Sequence, residues 1–230
     1  MNKILIILFL IFSFTSLESQ TRFNKKRSKN KTLKKIQFEI GANVSYKFSA
    51  NGVNPIIGTQ TDFSFIKIPD VSISSFFPIS RKNKLATILD FGIQSYNYSL
   101  KDINTQEKYS HNFTYINFSP NIYIEGFLIG FNFGIPVSAS WNSEDVNVDK
   151  LNTLVEFKVG GVYELYRTRK GRFMANFKLA FMLNDIFINY KKDDPLLNII
   201  QNDDDYIRTN SSSPRTISIS VGFTYYLYIF

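Results

Sequence analysis

Apolar and polar residues alternate with a period of two along most of the chain after residue 35. Between Ile36 and Phe48 every even-numbered residue is apolar, and the residues between them are polar or glycine. Successive side chains of a β-strand point to opposite faces, so this period predicts a strand with one apolar face. No comparable period of 3.6 residues with capping residues occurs, which predicts a domain essentially without helices.

The same alternation recurs in seven further segments. Together the segments predict eight strands, at about 36–48, 67–77, 85–98, 112–124, 127–141, 153–166, 172–189 and 215–230. Pro120 falls inside the fourth strand and lacks a backbone donor, so a bulge or weak pairing is expected there.

The links between these strands alternate in length. They are short at 80–84, 125–126 and 167–171, and they are long and polar at 49–66, 100–111, 142–152 and 190–214. Short turns at one end and long loops at the other are typical of an up-and-down barrel in an outer membrane. In that arrangement the long loops are extracellular and both chain ends are periplasmic.

The chemistry of the two strand faces separates a membrane barrel from a soluble one. A soluble lipocalin-like barrel holds its apolar face inside, but here that face is crowded with Phe and Ile, which an eight-stranded interior has little room for. The strands are also long enough for a tilted span of about 9–11 residues. The pattern therefore favours an apolar face that points outward to lipid.

The opposite face mixes Gly, Ser and Asn with charged residues. Charges on a narrow lumen wall must be paired, so cross-strand ion pairs are predicted in a filled interior that leaves no open channel. The predicted inward charges are Glu39, Lys47, Asp90, Glu156, Lys158, Glu164 and Lys178.

The first 35 residues differ from the rest of the chain. Lys3, an apolar run to Phe14 and then small and polar residues have the layout of a secretory signal peptide, with cleavage expected near Ser19. Residues 20–35 hold eight basic residues and no acidic one, which predicts a disordered arm. The predicted organisation is a signal peptide at 1–19, a disordered basic periplasmic arm at 20–35 and an outer-membrane β-barrel at 36–230.

Composition limits the kinds of site. The absence of Cys excludes disulfides, thiolate metal sites and Cys nucleophiles, and a single histidine, His111, excludes multi-His metal sites. A general base would have to be His111, but its neighbour Ser110 points to the opposite face of the strand. We therefore expect a histidine at the loop edge without a catalytic role, and no catalytic, cofactor-binding or metal-binding residues.

Two groups of residues suggest contacts at the ends of the barrel. The aspartates between Tyr190 and Ser213 lack EF-hand spacing, which favours a solvated acidic loop over a Ca²⁺ site. Aromatic residues near the strand ends predict interfacial girdles: Tyr96, Tyr98, Tyr115, Trp141, Tyr163, Tyr166 and Tyr190.

The last strand carries a C-terminal pattern. Ser220, Gly222, Tyr225 and Leu227 match polar-x-Gly-x-x-aromatic-x-hydrophobic, and the chain ends on Phe230. With the eight strands and the loop alternation, residues 36–230 resemble the small bacterial outer-membrane β-barrel proteins of the OmpA/OmpX-like and PorT-like type. The resemblance implies a terminal strand that the barrel-assembly machinery recognises. Phe230 departs in parity from Tyr225 and Leu227, so either a bulge near Tyr225 and Tyr226 or a turn of Phe230 at the rim is expected.

These patterns predict an eight-stranded, antiparallel, up-and-down transmembrane β-barrel in a Gram-negative outer membrane, with a structural or partner-binding role, no open pore and no catalysis. Its expected partners are outer-membrane lipid, the barrel-assembly machinery, and an envelope protein or lipid bound by the loops or the arm, without nucleic acid. The arm itself is read as either a contact for anionic partners or a solvated leader. Two other functions stay open, an envelope-lipid-modifying enzyme and a soluble lipocalin-like carrier.

Overall fold

The computed structural model describes residues 38–51, 59–62, 64–66, 68–79, 84–142, 144–189, 193 and 215–229. The predicted signal peptide, the predicted basic arm, Phe230 and most of the 190–214 loop lie outside these residues, so the predictions made for them stay predictions. The bulge that was one alternative near Tyr225 and Tyr226 is absent, because the last strand pairs with both neighbouring strands in uninterrupted register there. No helix among the described residues is long and apolar enough to cross a membrane.

The described elements are strands and one 3-10 turn at Val148–Lys150. In chain order the strands are β1 (Phe38–Asn51), β2 (Thr59–Asp62), β3 (Ser64–Phe65), β4 (Asp70–Pro78), β5 (Leu85–Asp102), β6 (Lys108–Ile124), β7 (Phe127–Trp141), β8 (Glu144–Asp145), β9 (Leu154–Arg167), β10 (Gly171–Met182) and β11 (Thr216–Ile229). Eight of them are long and overlap the predicted strands, whereas β2, β3 and β8 are short pieces in the links that the alternation did not predict. The seventh strand was predicted to reach residue 189, but β10 ends at Met182, and the chain then folds over the lumen so that Phe187 bridges to Leu151.

The eight long strands form a ring of antiparallel neighbours that β1 and β11 complete. This closing pair runs the full length of both strands, from Phe38 opposite Ile229 to Asn51 opposite Thr216. Gly222 lies within this closing pair, where the two strands approach so closely that a Cβ would come within 2.6 Å of the carbonyl oxygen of Val44. The barrel is closed. A closed ring leaves no unpaired sheet edge, and the predicted fold class is confirmed.

The apolar face of the strands points outward. On β7, Phe127, Phe131 and Ile135 are 68%, 43% and 65% exposed, whereas Leu128 and Asn132 between them are buried. The exposed series continues to Val137, ten residues after Phe127. At ~3.4 Å per residue and a tilt near 40°, this series covers about 26 Å along the barrel axis, close to the ~25 Å apolar band of outer-membrane barrels. The soluble carrier, which needs this face inside, does not fit.

The turn end of the barrel is compact, as predicted. Glu125 and Gly126 form a two-residue turn with φ values of 48° and 104°, a conformation that glycine adopts without strain. Thr168 closes the β9–β10 turn, because its hydroxyl oxygen accepts the backbone N–H of Gly171 at 2.9 Å. Both turns join neighbouring strands directly, which is the up-and-down connection expected for the barrel.

The loop end differs from the prediction at the link between β5 and β6. A long loop was expected at 100–111, but the two strands pair up to Lys101 and Lys108, which leaves a link of only a few residues. The Asp102 carboxylate accepts the backbone N–H groups of Asn104 and Thr105 at 2.7 Å and 2.9 Å, which stabilises a tight turn. The polar residues at 100–111 belong mostly to a hairpin that extends beyond the apolar band, rather than to a loop.

Pro120 weakens pairing as expected. The β6–β7 ladder omits Ser119 and Pro120 and resumes in the same register on either side. The Ser119 hydroxyl donates to the carbonyl oxygen of Phe131 at 2.9 Å, which replaces one ladder contact. The bulge itself lies elsewhere, at Thr114 and Tyr115.

Candidate functional site in the barrel interior

The middle of the lumen holds a belt of buried charges. Alternation points these side chains inward from five different strands, and the belt contains three cationic and three anionic residues: Lys47, Asp70, Asp90, Glu156, Lys158 and Lys178. The register places them at similar heights, since Lys47 and Lys178 both lie opposite Ser220 of β11. The equal numbers of both signs make the belt electrically balanced.

The acids of this charge belt are bound by short contacts. The Lys47 Nζ lies 2.9 Å from Asp70 Oδ2, and both side chains are 5% exposed. The Lys178 Nζ lies 3.5 Å from Asp90 Oδ2, and the hydroxyl of Ser74 donates to Asp90 Oδ1 at 2.6 Å. Buried carboxylates that receive hydrogen bonds and a countercharge are stable in a low-dielectric interior, so the belt cross-links the strands around the lumen.

Glu156 connects the charge belt to the aromatic residues above it. Its Oε2 accepts the Tyr96 hydroxyl at 2.6 Å and the Asn132 side-chain amide at 2.7 Å. The ring of Tyr96 also lies 3.6 Å from the Lys47 Nζ, a cation–π arrangement. The tyrosine therefore joins one cation and one anion of the belt.

The turn end of the lumen is sealed by an apolar cluster around a buried ion pair. The Arg172 Nε donates to Glu39 Oε2 at 2.7 Å, with side-chain exposures of 3% and 1%. The guanidinium lies 4.2 Å from the ring centre of Phe76 and 5.5 Å from that of Tyr226. The cluster comprises Phe76, Ala86, Ile88, Leu128, Val162, Met174 and Tyr226. Between this cluster and the belt, a cavity of only about 10 Å³ remains, roughly the space of one water molecule.

The loop end of the lumen is filled by a larger aromatic cluster. Its buried members are Tyr96, Tyr98, Leu100, Phe113, Tyr115, Ala139, Trp141, Leu151, Leu154, Met182, Ile186 and Phe187. Two of them, Ile186 and Phe187, follow the end of β10 and fold over the lumen, where Phe187 bridges to Leu151. The interior is thus closed by apolar side chains at both ends with charges between them.

One part of the wall is sealed by side chains. β4 begins at Asp70, whereas β1 and β5 continue towards the loop end. At this wall seam, Asp70 Oδ1 accepts the backbone N–H of Ser95 at 2.9 Å, and Lys47 Nζ donates to the carbonyl oxygen of Ser95 at 3.2 Å. The hydroxyl of Ser49 accepts the Asn97 N–H at 3.0 Å and donates to the carbonyl oxygen of the same residue. Two N–H and two carbonyl groups of β5 are therefore hydrogen-bonded to side chains, between the residues of β5 that pair with β4 and those that pair with β2.

His111 was expected at the loop edge, but it lies inside the aromatic cluster. It is 1% exposed, and its ring stacks on Tyr98 and packs against Trp141 with centroid distances of 4.9 Å and 4.1 Å. The expectation was wrong because β6 begins at Lys108 and carries His111 well within the strand. Ser110 lies on the other face of β6, so the two side chains do not form a nucleophile–base pair.

The predicted aromatic girdle is also corrected. Tyr96, Tyr98, Tyr115 and Trp141 are buried in the lumen, because they share the inward parity of their strands. Tyr166 is 66% exposed and Tyr163 is partly exposed, as a girdle requires. Tyr190 lies outside the described residues.

The predicted inward charges are found on the lumen side of their strands. Glu164 is the one at the rim: it is a third exposed and pairs with Arg167 and, at 3.7 Å, with Arg172. Sequence reasoning missed two partners, Asp70 and Arg172. Asp70 is the first residue of β4 and Arg172 the second residue of β10. Both lie inside the predicted strands 67–77 and 172–189, on the face opposite to Val71 and Phe173, so the alternation already placed them inward.

A second cavity, of about 270 Å³, opens at the loop end. It is lined by Trp141, Glu144, Asp145, Val146, Asn147, Lys150 and Asp193. Among the described residues, no group of three His, Asp or Glu side chains is arranged to hold a metal ion. Most of the predicted acidic loop lies outside the described residues.

Comparison with known proteins finds similar folds. No family model and no curated protein matches the sequence. Among solved structures, Ail of Yersinia pestis, crystallised with the heparin analogue sucrose octasulfate, is 10% identical with a TM-score of 0.38, over 83% of this chain and 99% of its own. Neisserial surface protein A is 13% identical with a TM-score of 0.39, over 81% and 95%.

The outer membrane protease OmpT of Escherichia coli is a third similar structure. It is 10% identical with a TM-score of 0.32, over 89% of this chain and 99% of its own. All three are outer-membrane β-barrel proteins, the class that the sequence resembles.

Proposed function

We propose that this chain is an outer-membrane β-barrel protein with a structural or partner-binding role and a permanently filled lumen. The observation that carries the proposal is the combination of a closed strand ring with an apolar outer band of about 26 Å and a charged interior. In water such an outer surface would be a very large apolar patch, whereas in lipid it is the favourable arrangement.

The filled lumen supports a scaffold rather than a channel. Two apolar clusters close its ends, and the charge belt between them is held by direct contacts such as that of Lys47 with Asp70. An eight-stranded interior is just wide enough for side chains. Binding then falls to the surfaces at the two ends, and the closing strand β11 is proposed as the segment that assembly machinery recognises.

The interior offers little support for an envelope-lipid-modifying enzyme. The single imidazole of the chain is enclosed by aromatic rings. Hydrolytic catalysis by a general base requires that base within hydrogen-bond reach of a nucleophile and of the substrate. A partner-binding role needs neither, and it remains the function that the geometry favours.

The membrane location is tested by cell fractionation followed by gel electrophoresis with and without boiling. We expect the protein in the outer-membrane fraction, with a folded band that migrates anomalously until the sample is boiled, because a closed barrel resists detergent. Recovery in the soluble periplasm, with the same mobility before and after boiling, would refute the proposal.

The filled lumen is tested by conductance measurements in planar bilayers. We expect at most small and irregular currents, because both ends of the lumen are closed by packed apolar side chains. A known wide porin in the same bilayers serves as the positive control. Stable, large single-channel steps from the purified protein would show that the lumen is open and would contradict a scaffold role.

A further inference from the structure

Among the described residues, four cationic side chains lie around the turn end of the barrel. We call this set the turn-end collar: Lys84, Arg167, Arg169 and Lys170. Lys84 is 58% exposed and pairs with Glu125, and Arg167 is 38% exposed and pairs with Glu164. Arg169 and Lys170 are exposed at the tip of the β9–β10 turn. Within the described part of this rim, four cations face two exposed acids, which leaves a net positive charge.

The turn that presents Arg169 and Lys170 is fixed by hydrogen bonds. The hydroxyl oxygen of Thr168 accepts the N–H groups of Lys170 and Gly171 at 3.2 Å and 2.9 Å. The carbonyl oxygen of Lys170 accepts the N–H of Tyr228 at 2.9 Å, which ties the turn to β11. The backbone that carries the two cations is therefore held at a defined height, so only their side chains remain to be ordered on binding.

The turn-end collar lies directly beside the edge of the apolar band. Leu165 and Tyr166 are 56% and 66% exposed, and Phe127 at the start of β7 is 68% exposed. Arg169 lies three residues after Tyr166, so the backbones of these two residues are within about 10 Å of each other. This is the height of the headgroups that flank a hydrocarbon core, where long cationic side chains reach the phosphates.

The opposite edge of the apolar band has different chemistry. Where β5, β6 and β7 leave the band, their outward side chains are uncharged: Ser95, Asn97, Asn112, Thr114 and Ser138. These groups bond to one another, as in the 2.6 Å contact from the Asn97 amide to Asn112 Oδ1. On these three strands the loop-end edge of the apolar band is uncharged, whereas the turn end carries the collar, so the two edges differ in charge on this side of the barrel.

We propose that the turn-end collar binds the anionic headgroups of phospholipids in the periplasmic leaflet of the outer membrane. The inference rests on the proposed membrane location and on the predicted periplasmic position of the turn end. Cations beside an anionic surface each contribute favourable binding that salt weakens. The collar would thereby orient the barrel and secure its turn end to that leaflet.

The experiment refolds the full chain into vesicles of phosphatidylcholine alone and of phosphatidylcholine mixed with phosphatidylglycerol. The measured quantity is the ratio of folded to unfolded barrel in urea, read from the heat-modifiable band. We expect phosphatidylglycerol to raise this ratio and salt to remove the gain. R169Q/K170Q should reduce the gain by roughly 25-fold, since each of the two cations near an anionic surface contributes roughly a fivefold factor.

The matched control is K101Q/K150Q, which removes two cations from the loop end and should keep the gain. A charge-preserving variant, R169K/K170R, should also keep it. The inference is overturned if the wild-type ratio is the same in both vesicles, if its gain resists salt, or if the two Gln pairs lose equal amounts. A collar that served an acidic protein instead would show the first of these outcomes. Absence of a heat-modifiable band in both vesicles would instead refute the membrane location itself.

Discussion

Replacing Arg172 with Met should destabilise the folded barrel by about 3–5 kcal/mol, because removal of one partner leaves a buried charge uncompensated. The carboxylate of Glu39 is 1% exposed and receives its closest charged contact from Arg172 at 2.7 Å. Met fills a similar apolar volume against Phe76 and Tyr226, so the loss reports the charge rather than a cavity. The free energy of unfolding is measured by urea titration of the barrel in vesicles.

The control for this prediction compares a buried pair with an exposed one. Arg167→Met removes the partner of Glu164 at the rim, where both side chains are at least a third exposed, and should cost no more than about 1 kcal/mol. The double variant E39Q/R172M should recover most of the loss, since neither charge is then buried alone. If Arg172→Met and Arg167→Met lowered the free energy of unfolding equally, Arg172 and Glu39 would not behave as a buried ion pair.

Replacing Phe131 with Arg should cost about 2–4 kcal/mol in a bilayer, the range for a cation on the lipid face near the midplane of a barrel. Phe131 points outward from β7 and is 43% exposed, close to the middle of the series from Phe127 to Val137. The measurement is again urea unfolding in phosphatidylcholine vesicles. In a soluble carrier the same substitution would be harmless or would improve solubility.

Ser138→Arg is the matched control on the same strand. Ser138 is exposed beyond the apolar band, so an arginine there reaches the headgroups and should cost about 0–1 kcal/mol. The difference between the two variants measures depth in the bilayer. If Phe131→Arg were tolerated as well as Ser138→Arg, the outer face would not be buried in lipid.

Strand positions could be predicted from the sequence because one physical requirement governs nearly every residue of the wall. Lipid on one side and a packed lumen on the other force alternation, and a shift by one residue would exchange the two faces. The prediction therefore placed Phe131 outward and Lys158 inward correctly. Strand ends were less predictable, because past the lipid the outward residues become polar and resemble a loop, as Ser110 does in β6.

The contents of the lumen could be predicted only in part. Alternation identified inward charges, but which of them pair depends on strand register and tilt, which sequence does not specify. The inward aromatic residues were misplaced for a similar reason: Tyr96 and Trp141 near strand ends fit both an interfacial girdle and a lumen plug. The two positions are distinguished only by the structure. It shows on which face of β5 or β7 each residue lies, and it shows that Ile186 and Phe187 cover the lumen above them.

The closing pair of β1 and β11 has a consequence for the order of folding. These strands come from opposite ends of the barrel sequence, so every other hairpin can form while the ring is still open. Local hairpins close short loops, whereas the last pair must close one that includes nearly the whole domain. The rate-limiting step of folding is therefore expected to be the pairing of β1 with β11. A chain in which β11 has not yet paired retains two open sheet edges that can pair with other molecules.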